Sequence, residues 1–180
     1  MLTDRIMAAF MFRREVYAEV ENDVTFTQTA WMIVLISNFL SQLGSKTSII
    51  AVQNGNFIDY LLAVFFGTLG AVLAFAIGAY VITYIGKSMF NAQVTFDEVV
   101  RTAGLASVWG VIGLVGILGF LPALVCALSP ALLLAAVLSI LAMFFALQEA
   151  LDLETFQTII VVVIAFVIQL IVSAIIGAIF

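Results

Sequence analysis

Residues 102–148 read TAGLASVWGVIGLVGILGFLPALVCALSPALLLAAVLSILAMFFALQ, a run of 47 residues without a charged side chain. A single helix of this length would measure about 70 Å at 1.5 Å per residue, too long for one passage through a hydrocarbon core of roughly 30 Å. The stretch therefore predicts two membrane-spanning helices joined by a tight turn near residues 119–122. Pro122 suits the first turn of the second helix, and Pro130 after Ser129 offers an alternative start. We favour a start at Pro122 with a kink at Pro130.

Three further charge-free stretches, residues 24–45, 60–86 and 155–180, contain 22, 27 and 26 residues. Each is long enough for one crossing, which takes about 20 residues. The sequence thus predicts an all-α integral membrane protein, a five-transmembrane-helix bundle. The expected spans lie near residues 25–45, 58–86, 98–118, 122–148 and 156–179.

The composition supports this class and excludes several others. Hydrophobic residues make up 65% of the chain and charged residues 9%, against roughly 45–50% and 25% in soluble domains. A net charge of -5 argues against a nucleic-acid binder, which needs a basic surface. The chain has no histidine and one cysteine, and it contains no recognisable catalytic motif. We therefore expect no enzymatic activity, no cofactor and no metal site.

The N-terminal region, residues 1–24, precedes the five-span domain of residues 25–180. Residues 3–21 have an amphipathic helical pattern, with Arg13 intruding on the apolar side. Its length and aromatic content suit the membrane interface, so we predict a cytoplasmic, interfacial N-terminal helix. The alternative is a solvated tail whose amphipathicity arises by chance.

The distribution of Lys and Arg predicts the orientation. If the N-terminus is cytoplasmic, Lys46 is the only cation in an external segment. Cytoplasmic loops of membrane proteins are enriched in Lys and Arg, so we expect a cytoplasmic N-terminus and an external C-terminus. The cytoplasmic cations are Arg5, Arg13, Arg14, Lys87 and Arg101.

A capping-box motif starts the third span, because Thr95 and Glu98 have the spacing at which each side chain bonds the other's backbone N–H. Arg101 follows within one turn, at the edge of the hydrocarbon core, where an unpaired charge is costly. We predict an ion-pair cluster centred on Arg101 and Lys87. Its candidate acidic partners are Asp97, Glu98, Glu149 and Asp152. The alternative is that Arg101 points towards lipid headgroups or a partner subunit.

Polar residues inside the spans are few and neutral. Gln169 is the only amide near the middle of the last span, and it lies on a stripe of small residues that favours close helix packing. An amide exposed to lipid would cost several kcal/mol. We therefore predict that Gln169 faces the bundle and bonds another helix or a backbone carbonyl. Glycines recur every three residues in the third span, at Gly110, Gly113, Gly116 and Gly119.

Residues 84–104, YIGKSMFNAQVTFDEVVRTAG, resemble the Yip domain family, the Ypt/Rab-interacting membrane proteins, and especially its prokaryotic branch. The family carries a similar Tyr-x-x-Gly-x-x-x-Phe, a polar turn, an acidic helix start and Arg-x-x-Gly. Residues 150–153, ALDL, and 19–23, EVEND, are supporting matches. The chain departs from the pattern at Asn91, where a glycine is common, and at Val108–Trp109, where a proline is common.

The resemblance implies five spans, a cytosolic N-terminus and a non-enzymatic role. We expect a membrane scaffold or adaptor in a prokaryotic cytoplasmic membrane, contacting the lipid bilayer and either other membrane proteins or itself. The short acidic Tyr-Gly-Pro motif of the eukaryotic members is missing, so we do not expect direct binding of a Rab GTPase.

Two other functions stay open from the residues alone. The second is an accessory subunit of a larger membrane complex, for example an energy-transducing one, which would co-purify in fixed stoichiometry. A small transporter or channel is the third possibility, and the scarcity of polar residues within the spans argues against it, since transport requires a wet polar path.

Overall fold

The computed structural model describes residues 1–47, 56–120 and 122–179, and within these ranges the backbone forms helices and no strand. The predicted all-α class is confirmed. The described elements are α1 (Leu2–Phe10), α2 (Arg14–Asn22), α3 (Phe26–Ser45), α4 (Phe57–Phe90), α5 (Phe96–Ala106), a 3₁₀ segment (Ser107–Phe120), α6 (Pro122–Leu151) and α7 (Thr155–Ile179).

Four helical stretches are long and apolar enough to cross a membrane: Phe57–Phe90, Phe96–Gly119, Ala127–Leu151 and Thr155–Val172. They correspond to the second to fifth predicted spans. The first predicted span, α3, is not among them, because polar residues such as Gln28, Asn38 and Gln42 lower its hydropathy. The predicted count of five is therefore not confirmed, and a crossing by α3 stays a proposal.

The two halves of the long charge-free stretch differ in helix type. Helix α6 begins at Pro122 and contains Pro130 in its interior, as the favoured alternative predicted. The residue before it, Leu121, lies outside the described part of the chain. The first half of the stretch does not continue as an α-helix, because the backbone changes to the 3₁₀ segment at Ser107.

The 3₁₀ segment packs along α3 through its glycines. A 3₁₀ helix has three residues per turn, so Gly110, Gly113 and Gly116 share one face. A Cβ added to Gly113 would stand 3.0 Å from the Cα of Ser41, and one added to Gly116 would stand 2.9 Å from the carbonyl carbon of Gly44. Only glycine permits so close a backbone approach. The three-residue glycine repeat therefore fixes α3 against the third predicted span.

The N-terminal region forms two helices, so the prediction of one helix over residues 3–21 is wrong. Helix α1 ends at Phe10 and α2 begins at Arg14. Between them Phe12 has a φ of 56°, a left-handed conformation that ends a right-handed helix. This break lets α2 fold back beside α1 and turns its apolar side towards the bundle.

A buried face joins the N-terminal helices to the main hydrophobic core. Ala9, Val16, Tyr17 and Val20 are buried there, and α2 packs against both α5 and α6. Arg5 links α1 to α2, since its Nη2 lies 2.6 Å from Oε1 of Glu19. The N-terminal helices are thus part of the packed structure and form one end of it.

Candidate functional site

The polar end of the bundle is built around Arg101, which is only 4% exposed. Its Nε donates to the backbone carbonyl oxygen of Glu21 at 2.9 Å, and its Nη2 donates to the same oxygen. Its Nη1 donates to Oγ1 of Thr27 at 3.2 Å. One guanidinium therefore ties α5 to the end of α2 and the start of α3.

The predicted ion pairs of Arg101 with carboxylates are wrong. Among the described residues no carboxylate lies within ion-pair distance of Arg101 or of Lys87. The physical reason is the approach of the C-terminal end of α2, whose last carbonyl groups have no partner within their own helix and carry partial negative charge. Arg101 binds this helix end, while Lys87 is exposed at the end of α4.

The capping box that positions Arg101 is present as predicted. The Thr95 hydroxyl accepts a hydrogen bond from the Glu98 backbone N–H at 3.3 Å, and Glu98 Oε2 accepts one from the Thr95 N–H at 2.6 Å. Before it, Asn91 caps the C-terminal end of α4 with a φ of 53°. Asparagine is the residue that most readily replaces glycine in this left-handed position, which accounts for its departure from the expected glycine. Asp97 is exposed in the first turn of α5.

Glu21 lies within electrostatic range of Glu98, Glu149, Asp152 and Arg101, and we call the four carboxylates, Glu21, Glu98, Glu149 and Asp152, the acidic cluster. Burial is the main cause that raises the pKa of Glu21, the charges of Asp152, Glu98 and Glu149 add to the increase, and Arg101 opposes it; together these effects bring the pKa to about 7. Repulsion between like charges and loss of hydration both disfavour the ionised form of a carboxyl. The cluster thus holds more negative charge than its single buried guanidinium compensates.

Sequence reasoning identified three members of this cluster and missed Glu21. The sequence predicts an interfacial helix for the segment that contains Glu21, and no local signal shows that α2 folds back onto α5 and α6. Asp152, which has a φ of 48°, is exposed at the end of α6, so the cluster is accessible from outside the protein.

Aromatic contacts hold the N-terminal turn in place. The ring of Phe12 stacks on Trp109 with centroids 5.2 Å apart, and Phe10 meets the same indole edge-on at 5.0 Å. The Arg14 guanidinium lies 4.7 Å from the centre of the Phe145 ring, a favourable cation–π distance. Trp109 therefore anchors the N-terminal helices within the fold.

A central cavity of about 550 Å³ lies between the helices, lined by residues of α3, α4, α5, α6, α7 and the 3₁₀ segment. Its lining is mostly apolar and contains no charged side chain. The polar side chains that line it are Ser37, Asn38, Ser41, Ser107, Ser139 and Gln169.

Gln169 faces this central cavity, and its Oε1 would lie 3.4 Å from a Cβ added to Gly78 of α4. The hydrogen bond predicted for its amide is not formed with any residue that the structure describes. Gly78 is too small to fill the space opposite Gln169, which leaves a gap where a partner was expected. Within the described ranges, no group of three or more His, Cys, Asp or Glu side chains could hold a metal ion.

The Yip1 domain family model matches residues 8–177. This range begins inside α1 and includes α2, the acidic cluster and every described membrane-spanning candidate. The chain matches no curated protein and no solved structure. The match includes almost the entire sequence, so the chain belongs to the Yip1 domain family.

Proposed function

We propose that the chain is a non-enzymatic membrane scaffold or adaptor of Yip type that acts through protein–protein and protein–lipid contacts. Its family and its apolar helices support an integral membrane protein. The observation that carries the adaptor role is the acidic cluster, in which Glu98 of α5, Glu149 of α6 and Asp152, which follows α6, act electrostatically on Glu21 of α2. Uncompensated negative charge at an accessible surface attracts basic partner segments.

The proposed topology has α3 as the fifth crossing, in a prokaryotic cytoplasmic membrane. Two observations support it: α3 packs along the 3₁₀ segment, which belongs to a candidate span, and five of the six Lys and Arg residues lie on one side in this arrangement. The N-terminus and the acidic cluster then face the cytoplasm, and the C-terminus faces outwards. The expected partner is a cytoplasmic basic segment of another membrane protein or of a second copy of this chain.

Zero-length carbodiimide cross-linking in native membranes tests this function, because it joins carboxylates directly to lysine amines. We expect cross-links from Glu149 or Asp152 to lysines of one partner, recovered in a reproducible ratio. The double variant Glu149→Gln/Asp152→Asn should lower partner recovery several-fold, and high salt should weaken wild-type recovery because it screens exposed charges.

A matched control removes the same number of charges from exposed sites outside the cluster, Glu15→Gln/Glu154→Gln. This control should retain the partner. Equal recovery with all three proteins, or equal loss with both double variants, would contradict docking at the acidic cluster.

An accessory subunit of a larger complex is the second candidate. The specific observation in its favour is the large number of exposed apolar side chains along α4, α6 and α7, including Phe65, Leu133 and Phe166. A stable complex that buries these faces would survive high salt with fixed stoichiometry, whereas adaptor contacts at the acidic cluster would dissociate.

A further inference from the structure

The central cavity has the dimensions and chemistry of a small-molecule site. Its volume of about 550 Å³ lies within the range of roughly 300–1,000 Å³ found for ligand pockets, which are typically apolar with a few polar groups. Five helices and the 3₁₀ segment contribute to its wall, so the cavity belongs to the whole bundle and is separate from the acidic cluster.

Part of the polar lining lacks a partner. The Ser37 hydroxyl and the Asn38 amide both donate to the backbone carbonyl of Val34, and Ser107 donates to that of Ala103. In contrast, Ser41, Ser139 and Gln169 form no hydrogen bond with any described residue. Unpaired polar groups are costly within a bilayer, where water is scarce. These three side chains therefore offer donors and acceptors to a molecule inside the cavity, and Ser139 and Gln169 lie on α6 and α7.

Large apolar side chains of α6 and α7 that line the cavity are also partly exposed. Three of its lining residues on these helices are large, apolar and about half exposed: Ile140 (48%), Val163 (55%) and Phe166 (53%). In a membrane such side chains meet acyl chains, so a molecule can enter the cavity from the bilayer without crossing water.

We propose that the central cavity binds an uncharged membrane lipid through carbonyl or hydroxyl groups in its head. The carboxamide of Gln169 and the hydroxyl of Ser139 bond the lipid head, and the acyl chain extends towards the bilayer along the exposed apolar side chains of α6 and α7. A charged headgroup is excluded, because no charged side chain lines the cavity to offset its desolvation.

A photoreactive diazirine analogue of 1-monooleoylglycerol is the probe, tested with the full-length chain in nanodiscs. Its matched charged counterpart is a diazirine 1-oleoyl-lysophosphatidylglycerol, which has the same acyl chain. We expect the neutral probe to label cavity-lining peptides of α6 and α7 at least tenfold more than the charged probe does. Unlabelled monooleoylglycerol should compete for these sites. Equal labelling by both probes, or labelling confined to outer lipid-facing surfaces, would overturn the proposal.

Two variants locate the site independently. Gln169→Leu keeps the side-chain size, removes the amide, and should weaken binding of the neutral probe about tenfold, the effect of one lost hydrogen bond. Gly78→Leu should abolish labelling, because its side chain extends into the cavity. Leu170→Ala on the lipid-exposed side of α7 is the control and should bind normally.

Thermal unfolding of each variant establishes that it is folded before labelling. If Gly78→Leu fails to fold, Gln169→Leu still decides the question, since it removes a polar group without adding bulk. Unchanged binding by a folded Gln169→Leu variant would contradict the assigned head contact. A cavity filled by water alone would give no competition between labelled and unlabelled monooleoylglycerol, and that result would also overturn the proposal.

Discussion

Replacement of Arg101 by methionine tests the connection between α2, α3 and α5. The change removes three N–H donors that bind the Glu21 carbonyl oxygen and the Thr27 hydroxyl. Hydrogen bonds to a charged group are worth about 1.5–3 kcal/mol each, and part of this is offset because a buried charge is removed. We expect a net destabilisation of about 3 kcal/mol.

This loss should lower the Tm by about 6–12 °C in a protein of this size. Unfolding in detergent can be followed through the fluorescence of Trp109, which lies against the N-terminal turn. Arg101→Lys keeps the charge but lacks the planar fork that reaches both acceptors, so it should recover only part of the stability. Arg13→Met, at an exposed position, is the matched control and should change the stability by less than about 0.5 kcal/mol.

Hydrogen exchange gives a second measurement of the same variant. Loss of Arg101 should accelerate exchange in α2 more than in α4, because the guanidinium holds the end of α2 directly. A Tm equal to that of Arg13→Met, with unchanged exchange in α2, would refute the reasoning. Full rescue by Arg101→Lys would show that charge alone, and not the guanidinium geometry, supports this junction.

Three further predictions can be measured as Tm values in the same detergent. Gly44→Ala should destabilise the protein by about 1–3 kcal/mol through overpacking, because the added Cβ would collide with the Gly113 backbone. Gly110→Ala is the control and should be nearly neutral, because its Cβ would lie 3.5 Å from Ser37 Cβ. Equal effects of the two variants would contradict the observed packing. The pKa of Glu21 is about 7 in the folded protein and 4.5 for an unperturbed glutamate, so the folded state binds its proton more tightly than the unfolded state does. The free energy of unfolding of the wild type should therefore fall as the pH rises from 4.5 to about 7, by about 1 kcal/mol after allowance for solvent screening. Glu21→Gln should remove this slope, and an unchanged slope would contradict the assignment. Thr95→Ala should lower the free energy of unfolding by about 1 kcal/mol, because it removes the helix cap. Ser88→Ala is the control, and equal stability of the two variants would show that the cap is not stabilising.

Features that depend on neighbouring residues could be predicted from the sequence. The capping box needs only the spacing of Thr95 and Glu98, and the start of α6 needs only the conformational restriction of Pro122. The candidate spans follow from the distances between charged residues. Each of these signals acts within one helix or at its end, so the sequence contains all the information needed.

Features that depend on tertiary packing could not be predicted in this way. Phe12 is not a residue type that indicates a left-handed turn, so the break between α1 and α2 has no local signal. From the sequence, Arg101 needs a carboxylate partner, since the sequence does not reveal that the end of α2 supplies a carbonyl at the same depth. The packing of Gly44 against the 3₁₀ segment and the gap beside Gln169 also arise only when separate helices meet.

Cysteine accessibility in intact cells tests the central claim most directly, namely that the acidic cluster faces the cytoplasm in a five-span bundle. In a Cys126→Ser background, single cysteines are placed by Lys46→Cys and Glu154→Cys and treated with a membrane-impermeant maleimide. The account predicts labelling at position 46 in intact cells and at position 154 only after the membrane is opened. Labelling of position 154 in intact cells, or protection of position 46 until the membrane is opened, would contradict it.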